Sequence, residues 1–297
     1  MKQPVFTGSG TAIITPFTWD GIDCPALARL LDFQLENGTD AIIVCGTTGE
    51  AAAMTYAERA RAIEFTARHV NGRVPVIAGT GSNNPENAIA LSHDAVQAGA
   101  DALLVVTPFY NKATQRGLVR HYTAIADAVT KPVILYHVPS RTGVTCTAGT
   151  YAALARHPNI VGVKEASGDL ALVQKTRELC PEDFYIWSGN DDETAPIMLF
   201  GGKGVISVAA NVMPREMHEL ARACLSGDFV AAGKMQLKLR KLCEALFWEV
   251  NPIPVKTALA FMGYCQEIFR LPMCEMEAEN REKLKAVLTE YGLLSTT

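Results

Sequence analysis

Lys164 stands at the end of a short apolar run, Ile160-Val161-Gly162-Val163, and is followed by Glu165-Ala166-Ser167-Gly168-Asp169. A run of that kind reads as a buried strand. An ammonium at its end must find a partner, reach water or lose its proton. The third outcome matters chemically, because a lysine free of its proton attacks a carbonyl as a neutral amine. The plainer reading is an ion pair with Glu165 or Asp169. Glu165 is the next residue, however, so along a strand its side chain points to the opposite face.

Other segments bring groups suited to the same chemistry. Gly46-Thr47-Thr48-Gly49-Glu50 offers backbone N–H groups that suit an anion, and two hydroxyls that can relay a proton. It lacks the Gly-Lys-Ser/Thr ending of a nucleotide-binding loop. Tyr136 follows Ile134-Leu135, where a phenol can shuttle a proton or bind an oxyanion. Arg141, in Pro139-Ser140-Arg141-Thr142-Gly143, suits a bidentate grip on a carboxylate. Tyr110 lies in Thr107-Pro108-Phe109-Tyr110-Asn111. Each also has a plain alternative: a turn, a packed tyrosine, a solvated arginine. The six histidines show no H-x-H or H-x-x-x-H spacing, and the acids Asp191-Asp192-Glu193 fit the start of a helix as well as a cation. The expectation is no metal. No Gly-x-Ser-x-Gly elbow is present.

These residues need a scaffold that gathers them. Short β-like runs fall at 12–15, 41–45, 74–78, 102–106, 133–136, 160–163, 184–187 and 204–208. Several are continuously apolar, as parallel strands covered on both faces are. Helical patterns separate them, including a capping box at Thr55-Tyr56-Ala57-Glu58 and a first-turn Pro85. Eight strands, each followed by a helix, give the count of a (β/α)₈ TIM barrel, an α/β fold. Helical patterning then continues to about residue 292, at 213–224, 229–248, 254–262 and 277–291. The chain therefore divides into a barrel, 1–224, and a C-terminal helical domain, 225–297. In such a barrel the active site lies at the C-terminal ends of the strands. Every segment named above follows a strand, whereas the opposite joints, such as Asn71-Gly72-Arg73 and Gly99-Ala100-Asp101, carry little chemistry.

Bulk properties narrow the class. The chain has 297 residues, 48% hydrophobic and 20% charged, with a formal net charge of −4. Lysine and arginine are scattered singly, so no basic patch points to nucleic acid. No apolar stretch approaches the roughly 18 residues of a membrane helix, and the N-terminus lacks the apolar core of a signal peptide. The eight cysteines form no C-x-x-C pair and read as reduced thiols of a cytoplasmic protein.

Taken together, these motifs and their spacing resemble the 4-hydroxy-tetrahydrodipicolinate (dihydrodipicolinate) synthase family, of the pyruvate-dependent class I aldolase superfamily. The resemblance covers essentially the whole chain and includes Val163-Lys164-Glu165-Ala166-Ser167-Gly168 and Gly204-Val205-Ile206-Ser207-Val208. It implies that Lys164 forms a Schiff base with pyruvate. It implies proton transfer by Tyr136, linked through Thr47 to a Tyr110 contributed by the neighbouring subunit. Thr48 would lie by the pyruvate carboxylate, and Arg141 would bind L-aspartate 4-semialdehyde. Gly189 and Ile206 match pocket positions that contribute mainly main-chain groups. It further implies no cofactor, a homotetramer built as a dimer of tight dimers, and a cytoplasmic role in lysine and diaminopimelate synthesis.

Two departures stand out. His137 replaces an asparagine common in the family. Where lysine-inhibited members carry a histidine, a glutamate and a tyrosine, this chain has Tyr56, Asn87 and Phe109. The expectation is weak or absent inhibition by L-lysine. The alternative within the superfamily is N-acetylneuraminate lyase or a 2-keto-3-deoxy sugar acid aldolase. Thr47-Thr48 and Arg141 favour the synthase. A non-enzymatic barrel would be expected to have lost some of Lys164, Tyr136, Thr47 and Arg141, and all four are present.

Overall fold

The computed structural model describes residues 1–295. Eight parallel strands close into a barrel: β1 (Gly8–Ala12), β2 (Ala41–Val44), β3 (Val76–Gly79), β4 (Ala102–Val106), β5 (Val133–His137), β6 (Ile160–Glu165), β7 (Tyr185–Ser188) and β8 (Gly204–Ser207). β1 pairs with β2 on one side and β8 on the other, which closes the ring. The strands are buried on both faces because side chains alternate between two cores. One fills the barrel, with Phe6, Ile43, Ile77, Leu104, Ile134, Tyr136, Trp187 and Ile206. The other lies between the barrel and its helices.

The eight helices of the repeats are α1 (Cys24–Glu36), α2 (Tyr56–Val70), α3 (Pro85–Gln97), α4 (Gln115–Asp127), α5 (Ala148–Leu154), α6 (Leu170–Leu179), α7 (Thr194–Leu199) and α8 (Pro214–Leu225). At the start of α2 the expected capping box forms, with Thr55 and Glu58 exchanging side-chain-to-backbone bonds. Three further helices follow: α9 (Phe229–Ala245), α10 (Ile253–Phe261) and α11 (Ala278–Glu290). Among the described residues no helix is long and apolar enough to cross a membrane.

The first strand lies earlier than the apolar run at 12–15 indicates. Its residues, Gly8-Ser9-Gly10-Thr11-Ala12, carry no apolar pattern. The barrel needs small residues here, because a Cβ on Gly10 would come within 2.8 Å of both Ile43 and Phe6. Thr11 finds its partner outside the sheet, donating to Gln34 Oε1 at 2.6 Å. A two-residue hairpin, Phe17–Thr18 with Gly21–Ile22, follows that strand and has no signal in the sequence pattern.

The segment after α10 folds back onto the barrel. Arg270 grips Glu58 with both guanidinium ends, one at 2.8 Å, and stacks over Phe17 with 4.2 Å to the ring centroid. The Arg270 hydrogen bonds hold the Glu58 carboxyl down to about 2. A depressed carboxyl adds stability that is full above its unfolded pKa of about 4.3 and is lost as pH falls through the folded one. Arg270→Leu is therefore expected to unfold at lower urea than the wild type at neutral pH. That gap should narrow as pH falls from about 4.3 towards 2. Urea midpoints across this range check it, and a constant gap would contradict it.

Candidate active site

Strand alternation sorts the two charged residues of β6. Glu165 points outward, into the layer between barrel and helices. It accepts hydrogen bonds from His137 Nδ1 at 2.9 Å, the Tyr151 hydroxyl at 2.9 Å and the Ser167 amide at 2.9 Å. His137 Nε2 accepts from the Cys146 amide at 3.0 Å, so the ring carries its proton on Nδ1. As the alternation indicates, His137 faces away from Tyr136. Asp169 is also occupied, because its Oδ1 caps α6 through the Leu172 amide at 2.9 Å.

Lys164 is thus left without either acid. It is 5% exposed and forms no salt bridge among the described residues. Its Nζ lies 4.3 Å from the centroid of the Tyr136 ring. The two residues are direct register partners across β5 and β6. Thr107 fixes the Tyr136 backbone by donating to its carbonyl twice, from the amide at 2.8 Å and the hydroxyl at 2.9 Å. Gly189 keeps space for the lysine, since a Cβ there would sit 3.0 Å from Lys164 Cε and 2.6 Å from Ala166 Cβ. Ile206 is buried in the same barrel interior as Tyr136.

A cavity of about 520 Å³ opens beside this pair. Thr47, Tyr136, Arg141 and Asn251 are among its walls, whereas Lys164, Thr48, Gly189 and Ile206 are not. Tyr136 connects the two groups: it lines the cavity and its ring meets Lys164. Thr48 is buried, and its hydroxyl accepts from Asn251 Nδ2 at 3.0 Å. Arg141 is exposed and donates to the Asn251 carbonyl at 3.0 Å. Tyr110 stands apart, 88% exposed, with a left-handed backbone (φ 72°). No hydrogen bond among the described residues joins the hydroxyls of Thr47, Tyr136 and Tyr110. Tyr56 and Phe109 line the same cavity, and Asn87 is exposed on α3.

Asp191 stands at the start of a helical segment, Asp191–Glu193, that leads into α7, as its sequence offers. It is buried, and its Oδ2 accepts from the amides of Val208 at 3.0 Å and Ala209 at 2.9 Å, tying the ends of β7 and β8 together. Burial pushes its carboxyl above the usual range, opposed in part by these hydrogen bonds and by the charge of Lys164. Among the described residues no group of three or more His, Cys, Asp or Glu side chains could hold a metal ion.

Sequence reasoning missed Asn251, Glu50 and Lys256. Lys256 is fully buried and paired with Glu50. The available signal was a lysine inside an apolar, proline-rich stretch, Asn251-Pro252-Ile253-Pro254-Val255-Lys256. Its prolines read as punctuation before the helix expected at 254–262, which contains Lys256.

A closed parallel barrel that buries an unpaired lysine against a tyrosine at the strand ends has the design of a Schiff-base-forming class I aldolase. The comparisons narrow this class. Residues 5–291 match the model of the dihydrodipicolinate synthetase family. A 4-hydroxy-tetrahydrodipicolinate synthase of Thermoanaerobacter sp. (strain X514) is 54% identical over 293 residues, 98% of this chain and 99% of that one. The crystal structure of dihydrodipicolinate synthase from Aquifex aeolicus superposes with a TM-score of 0.96 at 47% identity, covering 98% of this chain and 100% of that one. The chloride-inhibited dihydrodipicolinate synthase from Acinetobacter baumannii, solved in complex with pyruvate, gives a TM-score of 0.95 at 42% identity, covering 97% and 99%. The chain belongs to the dihydrodipicolinate synthetase family.

Proposed function

We infer that this chain condenses pyruvate with L-aspartate 4-semialdehyde to give 4-hydroxy-tetrahydrodipicolinate, in lysine and diaminopimelate synthesis. The observation that carries the reading is the buried, unpaired Lys164 with its Nζ 4.3 Å from the Tyr136 ring centroid. The lysine amine adds to the ketone of pyruvate and water leaves, forming an iminium. The iminium accepts the electron pair of a methyl C–H bond as its proton departs, giving an enamine. The enamine carbon then bonds to the aldehyde carbon of the second substrate, whose oxygen takes a proton. The amine of that substrate displaces Lys164, and the ring closes.

In this reading Tyr136 moves protons near the bound pyruvate, with Thr47 and Tyr110 as its relay. Thr48 lies by the pyruvate carboxylate, and Gly189 and Ile206 bound the pocket with main-chain groups. Arg141 holds the carboxylate of the semialdehyde. The exposed phenol of Tyr110, on a backbone conformation rare outside glycine, supports a role towards a neighbouring subunit. A homotetramer made of tight dimers is the assembly that would use it. The division into a barrel, 1–224, and a helical domain, 225–297, belongs to the same reading, as does a cytoplasmic setting.

A coupled assay with pyruvate and L-aspartate 4-semialdehyde, run beside N-acetylneuraminate and 2-keto-3-deoxygluconate cleavage, tests the choice of reaction. Condensation is expected to dominate. Faster cleavage of either sugar acid would overturn it. A second expectation concerns regulation. With Tyr56, Asn87 and Phe109 where a histidine, a carboxylate and a phenol would pair with a lysine ligand, the ligand's ammonium loses partners. L-lysine is therefore expected to inhibit weakly or not at all in the same assay. Strong inhibition at submillimolar lysine would contradict this.

A further inference from the structure

Lys256 is fully buried on α10, and its partner Glu50 closes the Gly46-Thr47-Thr48-Gly49-Glu50 turn after β2. A buried ion pair is a weak source of stability, because apolar residues of similar volume often do as well or better. Its presence asks for a positional reason, and the surrounding bonds supply one. Both carboxylate oxygens of Glu50 are taken by the C-terminal segment: Oε1 by Lys256 Nζ, and Oε2 by the Arg270 amide at 3.2 Å. Lys256 is itself fixed by the Ile268 carbonyl at 2.9 Å and by the Phe17 ring, 4.3 Å from its centroid. Five residues earlier, Asn251 donates to the Thr48 hydroxyl at 3.0 Å.

The turn is therefore gripped twice by one distant segment. Within the turn, the Glu50 amide donates to the Thr47 carbonyl at 3.1 Å and the Gly49 amide to that of Gly46 at 3.2 Å, and from the barrel side the Thr15 hydroxyl donates to the Gly49 carbonyl at 2.7 Å. Glu50 also holds a left-handed conformation (φ 52°), which a residue with a side chain adopts only when its surroundings impose it.

We propose that the Glu50–Lys256 ion pair is a positioning device, through which the C-terminal helical segment sets the turn that presents Thr47 and Thr48 to the substrate. This rests on the reading of Thr47 and Thr48 as substrate-facing groups. Glu50 lines the same cavity, but Lys256 and the Arg270 amide occupy its two carboxylate oxygens, so in this proposal the pair acts through the threonines. The C-terminal helices then complete the active site, although all eight strands precede them.

The test compares the full-length wild type with Glu50→Gln, Lys256→Met and the double variant. Lys256→Met leaves the Glu50 charge buried and unpaired, so its thermal midpoint is expected to fall. The double variant removes both charges at similar volume, so its midpoint is expected to recover. Its kcat should nevertheless stay down by at least about tenfold, because a small displacement of a positioned group carries that cost or more. Pyruvate should still be trapped on Lys164 by borohydride. A kcat that recovers with the midpoint would show a merely structural pair and overturn the proposal. If Lys256→Met fails to fold, Glu50→Gln and the double variant still give the result.

Hydrogen exchange over residues 46–51 reads the turn without any substrate. It is expected to speed up by about tenfold or more in the double variant, as local protection is lost, while the barrel strands stay protected. Unchanged exchange there would overturn the proposal even if the condensation proceeds as inferred. A wild type that traps no pyruvate would instead overturn the reaction, and the exchange result would still judge the ion pair.

Discussion

Lys164→Met is expected to lose activity by at least about 10⁴-fold, the scale on which loss of a covalent nucleophile is felt. The fold should survive. Lys164 forms no salt bridge among the described residues, so methionine breaks no ion pair and removes only the through-space charge that Asp191 feels. It also replaces a 5% exposed ammonium with an apolar chain of similar length, which removes a cost of burial. The thermal midpoint is therefore expected to equal or exceed that of the wild type, an exchange of stability for function common at active sites. Steady-state kinetics and a thermal melt on the same preparation check both halves. Turnover within about tenfold of the wild type would remove Lys164 from the chemistry.

The second large effect lies one residue away and is a loss of stability. Glu165→Ala leaves the Nδ1–H of His137, the Tyr151 hydroxyl and the Ser167 amide without their common acceptor. His137 cannot compensate by turning, because its Nε2 holds the Cys146 amide. Unsatisfied buried donors cost about 1–3 kcal/mol each, so a total of about 3–5 kcal/mol is expected after partial relaxation. Glu165→Gln keeps the shape and one acceptor and should lose less. Activity should fall with the alanine change as well, because the His137–Glu165 pair lies one register step beyond the Tyr136–Lys164 pair on the same two strands. Denaturant unfolding of both variants checks this. A loss below about 1 kcal/mol for Glu165→Ala would contradict the account.

The contrast between these neighbours shows what was legible in the sequence. A charge at the end of an apolar strand is a local signal, and alternation alone separates Lys164 from Glu165 and Tyr136 from His137. Seven of the eight strands carry comparable signals. The first does not, because the barrel asks Gly10 to leave room for Phe6 and Ile43, and a strand selected for smallness has no apolar pattern. Asn251 and Lys256 were hidden for another reason. Their partners Thr48 and Glu50 lie 203 and 206 residues away, and no local spacing encodes a contact of that range. Lys256 also sits in a helix apolar enough to read as ordinary core, with seven of its nine residues buried. Tyr110 is a third case. Its ring is exposed, and the role proposed for it rests on the family resemblance, which periodicity cannot supply.

The central claim is that Lys164 forms the covalent bond to pyruvate. Incubating the protein with pyruvate, reducing with borohydride and mapping peptides by mass tests it most directly. One added carboxyethyl group, located on Lys164 and absent when pyruvate is omitted, is the expected result. An unmodified Lys164 in a protein that turns over under the same conditions, or the group on another lysine, would contradict it.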